Sequence, residues 1–139
     1  GNTTNKLIDE NENGFSAINR SFDPQKDGVL TFETKIYVGS EKNGVRTYFE
    51  NSDGKNVFEI YTKEDYFFVK TPLGDTKTDC PAKSGSIYLK TVFDLDGEKA
   101  VVFINNQNGG EFDITGFGDF SRLVYSTGEK EKTYFVKGD

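Results

Sequence analysis

Between Ser86 and Asn105 two β-rich runs meet across a reversal: Ile87-Tyr88-Leu89-Lys90-Thr91-Val92-Phe93-Asp94-Leu95 enters Asp96-Gly97, and Ala100-Val101-Val102-Phe103-Ile104 leaves it. Asp-Gly between such runs is a hairpin signal, because both residues tolerate the left-handed backbone of a tight turn. Apolar residues on both faces of the pair suggest a sheet covered on each side. The class is therefore all-β. Further runs support it. Leu30, Phe32, Thr34, Ile36 and Val38 share one face of a strand over Val29–Val38, with Thr31, Glu33, Lys35 and Tyr37 on the other.

Three aromatic strands follow in quick succession, Val45 to Asn51, Asn56 to Thr62 and Tyr66 to Thr71, with short polar separators that make them meander as neighbours. Strands are also expected at Lys6 to Asp9, Phe15 to Phe22, Glu111 to Ile114, Ser121 to Ser126 and Thr133 to Lys137. A reversal is placed at Asp23-Pro24-Gln25-Lys26-Asp27-Gly28, and Pro72 to Gly85 reads as loop with at most one short strand. No stretch has a capped 3.6-residue period. Strands recurring at such intervals indicate a two-sheet antiparallel sandwich or a barrel.

Composition narrows the function classes. At 139 residues the chain suits one domain with a real core, assigned to residues 6–139, and Gly1 to Asn5 form a polar tail expected to fray. The chain has no Met, so it is expected to be a processed or excised piece whose leading Gly1 is a tag remnant. A net charge of -6 repels phosphate backbones, so nucleic acid is not an expected partner. No run approaches the roughly 18 apolar residues of a membrane helix, and no membrane insertion is expected. With no His at all, the chain lacks Ser-His and Cys-His dyads and imidazole zinc sites. The single Cys80 reads as a buried thiol rather than a nucleophile.

Three stretches taken in order carry a family resemblance: Ser16 to Gln25 with Gly28 and the strand to Val38; Thr91 to Asn106; and Phe120 to Gly128 leading to Tyr134-Phe135-Val136. Together they resemble the concanavalin A-like (laminin-G-like) jelly-roll modules appended to bacterial polysaccharide lyases and glycoside hydrolases. The resemblance implies two facing antiparallel sheets, one concave and able to cradle a glycan. It further implies a non-catalytic carbohydrate-binding module of a larger secreted or cell-surface protein, linked to further domains, with polysaccharide or oligosaccharide as partner. Such modules often present Trp to sugar rings. This chain has none, but Tyr can offer an apolar face while its hydroxyl stays wet.

With Leu30, Phe32 and Ile36 inward, alternation turns Tyr37 outward on the long strand, Arg46, Tyr48 and Glu50 outward on the next, and Glu59 and Tyr61 outward on the third. Tyr37, Arg46, Tyr48, Glu59 and Tyr61 are thus the candidate carbohydrate-binding residues, since sugars need exposed rings and forked donors and acceptors. No catalytic residues are assigned. Asp94, Asp96 and Glu98 have the spacing of a glycosidase acid cluster, but Asp96-Gly97 would break the strand between them. No cofactor is required. Structural calcium is the one ion the resemblance allows, through oxygen ligands from Asp9, Glu10 and Asp139. Competing readings are a structural or protein-binding spacer of adhesin type, and a small glycoside hydrolase or polysaccharide lyase.

Overall fold

Every second side chain from Leu30 to Val38 is buried, at 1 % exposure or less, and the same alternation repeats along the neighbouring strands. The computed structural model describes residues 6–9, 16–40, 42–127 and 132–138, and side chains over 20–40 and 42–124. One sheet contains, in spatial order, β1 (Lys6–Asp9), β12 (Lys132–Gly138), β3 (Val29–Val38), β8 (Gly85–Asp94), β9 (Lys99–Ile104) and β10 (Gln107–Asp113). The other contains β2 (Ser16–Gln25), β11 (Phe120–Thr127), β4 (Arg46–Glu50), β5 (Asn56–Lys63), β6 (Tyr66–Thr71) and β7 (Gly74–Pro81). All ladders are antiparallel, and the expected meander is present as β4-β5-β6. No helix long and apolar enough to cross a membrane occurs among the described residues.

Between the layers lies a core of phenylalanines. Phe93 from the first sheet meets Phe58, Phe49 and Phe120 from the second, with ring centroids 4.9, 5.4 and 4.7 Å away, and Phe32 meets Phe49 edge-on at 5.3 Å. Edge-to-face pairing suits the ring quadrupoles, and these rings bind the two sheets into one body. Cys80 is buried here too, and burial pushes its thiol up, away from the thiolate form.

Four expectations need correcting. The segment after Pro72 is not mainly loop: β7 runs for eight residues as an edge strand. Its first four positions are all exposed and only Thr78 and Cys80 are buried, so it lacks the apolar alternation that marks interior strands. Strand β2 continues through Asp23-Pro24-Gln25, which is tolerated because β2 lies at a sheet edge where the missing proline N–H costs little; the reversal shifts to Gly28, at φ +76°. The β8–β9 connection is a four-residue turn over 95–98 rather than a two-residue Asp-Gly loop. Leu95 is drawn into the core and donates its N–H to the Gly28 carbonyl at 2.9 Å, and Glu98 rather than Gly97 takes the left-handed backbone, at φ +55°. Finally, no further layer covers the outer face of β8 and β9 among the described residues. Tyr88, Val92, Val101 and Phe103 there are half-buried, shielded by lateral neighbours on the same face.

Candidate functional site

The pleat of β4 turns Thr47 and Phe49 into the core and leaves Arg46, Tyr48 and Glu50 on the outer face. On β5 the inward Phe58, Ile60 and Thr62 leave Glu59 and Tyr61 outward, and on β6 the inward Phe67 and Val69 leave Tyr66, Phe68 and Lys70 outward. Register then sets the neighbours. Tyr48 pairs with Glu59 and Glu59 with Lys70, while Arg46 pairs with Tyr61 and Tyr61 with Phe68. Four of the five residues expected from the sequence, Arg46, Tyr48, Glu59 and Tyr61, therefore share one surface.

Tyr37 does not join them. It lies on β3, in the other sheet, and its outward side faces the opposite side of the sandwich. Alternation within a strand tells inside from outside; it does not tell which sheet a strand enters.

At the centre, Arg46 donates from Nε to Glu59 Oε2 at 3.0 Å and from Nη2 to Glu59 Oε1 at 3.1 Å. Asn56 Nδ2 adds a bond to the same Oε1 at 2.7 Å. The Glu59 side chain is only 9 % exposed against 49 % for Arg46, so the carboxylate is a held acceptor and the guanidinium reaches water. Arg46 also lies over the Tyr48 ring, 4.4 Å from its centroid. On the other flank Tyr61 and Phe68 stack, with centroids 5.4 Å apart and planes 20° apart. The Tyr61 hydroxyl donates to Asp75 on β7. Burial of the phenol, followed by that hydrogen bond and the negative charges of Asp75 and Glu59, pushes its pKa up to about 12. At the upper end of β4, Arg122 Nη1 lies 3.0 Å from Glu50 Oε1.

The surface thus presents a guanidinium–carboxylate–amide cluster flanked by a tyrosine on one side and a ring pair on the other. Donors left on Arg46 and lone pairs left on Glu59 could answer adjacent hydroxyl groups, and the rings could meet an apolar C–H face. Asn56, Phe68, Lys70 and Asp75 were not among the residues expected from the sequence. Phe68 and Lys70 were recoverable by extending the same alternation one strand further. Asp75 was not, because its strand carries no period.

Two carboxylates of the acidic triplet accept backbone N–H groups at the β8–β9 connection. Asp94 Oδ1 accepts from the Gly97 N–H at 3.0 Å, and Asp96 Oδ2 accepts from the Gly28 N–H at 3.2 Å. Among the described residues no group of three or more Cys, Asp or Glu side chains is arranged to hold a metal. The calcium ligands suggested above lie outside the described side chains: Glu10 and Asp139 wholly, and Asp9 apart from its backbone.

No family model and no curated protein matches the chain. Solved structures do. A sialidase matches with a TM-score of 0.66 at 12% identity over 96% of this chain, which spans only 15% of that protein's length. Chicken galectin 2 matches with a TM-score of 0.64 at 13% identity, covering 86% of this chain and 97% of its own. Congerin II, in a lactose- and MES-liganded structure, matches with a TM-score of 0.59 at 14% identity, covering 89% of this chain and 100% of its own. At such identities the likeness is one of fold, and it agrees with the two six-stranded antiparallel sheets: the chain has a two-sheet jelly-roll fold of the concanavalin A-like type.

Proposed function

We propose that this chain is a non-catalytic carbohydrate-binding module that holds an oligosaccharide or polysaccharide on the outer face of β4, β5 and β6. The observation that carries this reading is the Arg46–Glu59–Asn56 cluster, flanked by Tyr48 and by the Tyr61–Phe68 pair. A buried carboxylate fixed by three donors is an oriented acceptor, and its guanidinium partner keeps donors directed to solvent. The lactose-liganded congerin II supports the reading, since a protein of this fold holds a disaccharide. Binding uses side chains already in place and needs no cofactor. The module would belong to a larger secreted or cell-surface bacterial protein; a place within a longer chain is supported by the sialidase match, which covers 15% of that protein. It would raise the local concentration of its linked partner on the polysaccharide.

Affinity gels and a glycan array carrying plant, algal and host polysaccharides test this directly. Retention is expected for the wild type, undiminished by EDTA, lost on Glu59→Ala, and without release of new reducing ends. Absence of retention on every polysaccharide refutes it.

A further inference from the structure

Beside the ring-bearing face, where the edge strand of one sheet meets the edge strand of the other, the structure contains a cleft of about 320 Å³ between the β6–β7 turn and β10. That volume lies at the small end of the ligand-pocket range, roughly 300–1,000 Å³. Its walls combine apolar and acceptor groups: Leu73 and Phe112 with Asp75, Thr76, Glu111 and Asp113. Leu73 is 65 % exposed, the most exposed large apolar side chain among the described residues. It is also held in place, for its N–H donates to Thr71 Oγ1 at 3.1 Å.

The carboxylates are not equivalent. Asp113 is occupied by the Thr115 N–H and hydroxyl and by Lys99 Nζ at 3.3 Å. The Glu111 side chain has no hydrogen bond or ion pair among the described residues, so its carboxylate oxygens are free to accept. Asp75 takes the Tyr61 hydroxyl on Oδ2 while lining the cleft, so one side chain belongs to both surfaces.

We propose that this cleft is a second sugar subsite, continuous through Asp75 with the face described above, and that the ligand is therefore an extended neutral oligosaccharide rather than a single terminal sugar. This inference rests on the carbohydrate-binding reading of that face. Leu73 and Phe112 take the C–H face of one unit, and Glu111 and Asp75 accept from its hydroxyls. From Tyr48 on β4 to Asp75 on β7 is three strand spacings of ~4.8 Å, a span of roughly 14 Å that only a chain of units bridges. A uronic acid or sulfated unit is disfavoured in the cleft, where it would meet three carboxylates.

The test is calorimetric titration of the whole chain with two-unit and six-unit pieces of xylan, β-glucan and galactan. The six-unit piece of at least one series is expected to bind about tenfold tighter than its two-unit piece, in line with burial of one further apolar contact patch. Leu73→Asp, at an exposed turn position, and Glu111→Ala, which removes the acceptor, should each remove that gain and leave two-unit binding unchanged. Equal affinity for both lengths, or a gain that survives either substitution, overturns the cleft assignment and leaves the face reading standing. Binding of no piece at all overturns the cleft assignment, and it overturns the face reading as well when the array also shows no retention.

Discussion

Arg46 grips Glu59 through two parallel N–H···O bonds of 3.0 and 3.1 Å across the β4–β5 ladder, with the guanidinium half in water and the carboxylate nearly enclosed. This asymmetry orders the two single substitutions. Glu59→Ala strands a half-solvated cation and the part-buried Asn56 amide, and should cost on the order of 1 kcal/mol. Arg46→Ala leaves a buried carboxylate with Asn56 alone and should cost more, about 2–3 kcal/mol. Both should reduce glycan retention by tenfold or more, while Tyr37→Ala, on the opposite side of the sandwich, should leave it unchanged. Urea unfolding read beside affinity gels checks the order; a Glu59→Ala variant less stable than Arg46→Ala would contradict it.

Tyr61 supplies a pH prediction. Its pKa rises from 10.0 in the unfolded chain to about 12 in the fold, with burial as the largest cause and Asp75 next. A folded pKa above the unfolded value means the native state holds the proton more tightly. The stability Tyr61 contributes is therefore complete below about pH 10 and is lost as pH rises toward 12. Ultraviolet titration should show a late-ionising phenol signal that Tyr61→Phe removes. Asp75→Asn should move that phase down but not fully to 10, because desolvation remains; a full return would reverse the ranking of causes.

Much of this was legible in the sequence, and the failures share a cause. Strict alternation marked β3 over Val29–Val38, and three strands with short polar separators gave the β4-β5-β6 meander with Arg46, Tyr48, Glu59 and Tyr61 on one face. What alternation lacks is any record of partnership between distant strands. Tyr37 therefore fell on the wrong side, and β7, polar at an edge that need bury little, looked like loop. The four-residue β8–β9 turn was missed for a related reason. Its width is set by Leu95 reaching the core and by its bond to Gly28, a contact across 67 positions (95 − 28) that Asp-Gly alone does not encode.

Within the layer, Thr91 is fully buried and its Oγ1 has no hydrogen-bond partner among the described residues. An unpaired buried hydroxyl costs about 1–3 kcal/mol, and valine has nearly the same shape without that cost. Thr91→Val should therefore stabilise the fold by about 1 kcal/mol, whereas Thr91→Ala, which also opens a void, should gain less or lose. Thermal unfolding of the pair separates the outcomes. A Thr91→Val variant that melts below wild type would show that the hydroxyl is satisfied in solution, by a trapped water.

Phe93 is the test of how the two sheets are joined. It is fully buried on β8, yet three of its ring neighbours, Phe49, Phe58 and Phe120, belong to the other sheet, at 5.4, 4.9 and 4.7 Å. Phe93→Ala removes the ring and leaves a cavity that these neighbours, anchored in their own ladders, can only partly fill, at a cost of about 3–5 kcal/mol. Phe93→Leu keeps most of the volume but forfeits the edge-to-face contacts, and should cost about 1–2 kcal/mol. Because the inward row of β4 and β5 packs on this ring while Arg46, Tyr48, Glu59 and Tyr61 occupy the reverse side of the same strands, Phe93→Leu should lower the melting temperature and leave glycan affinity near wild type. If that variant instead lost binding in step with stability, the outer face would depend on the core for its geometry rather than on the strand ladders that hold it.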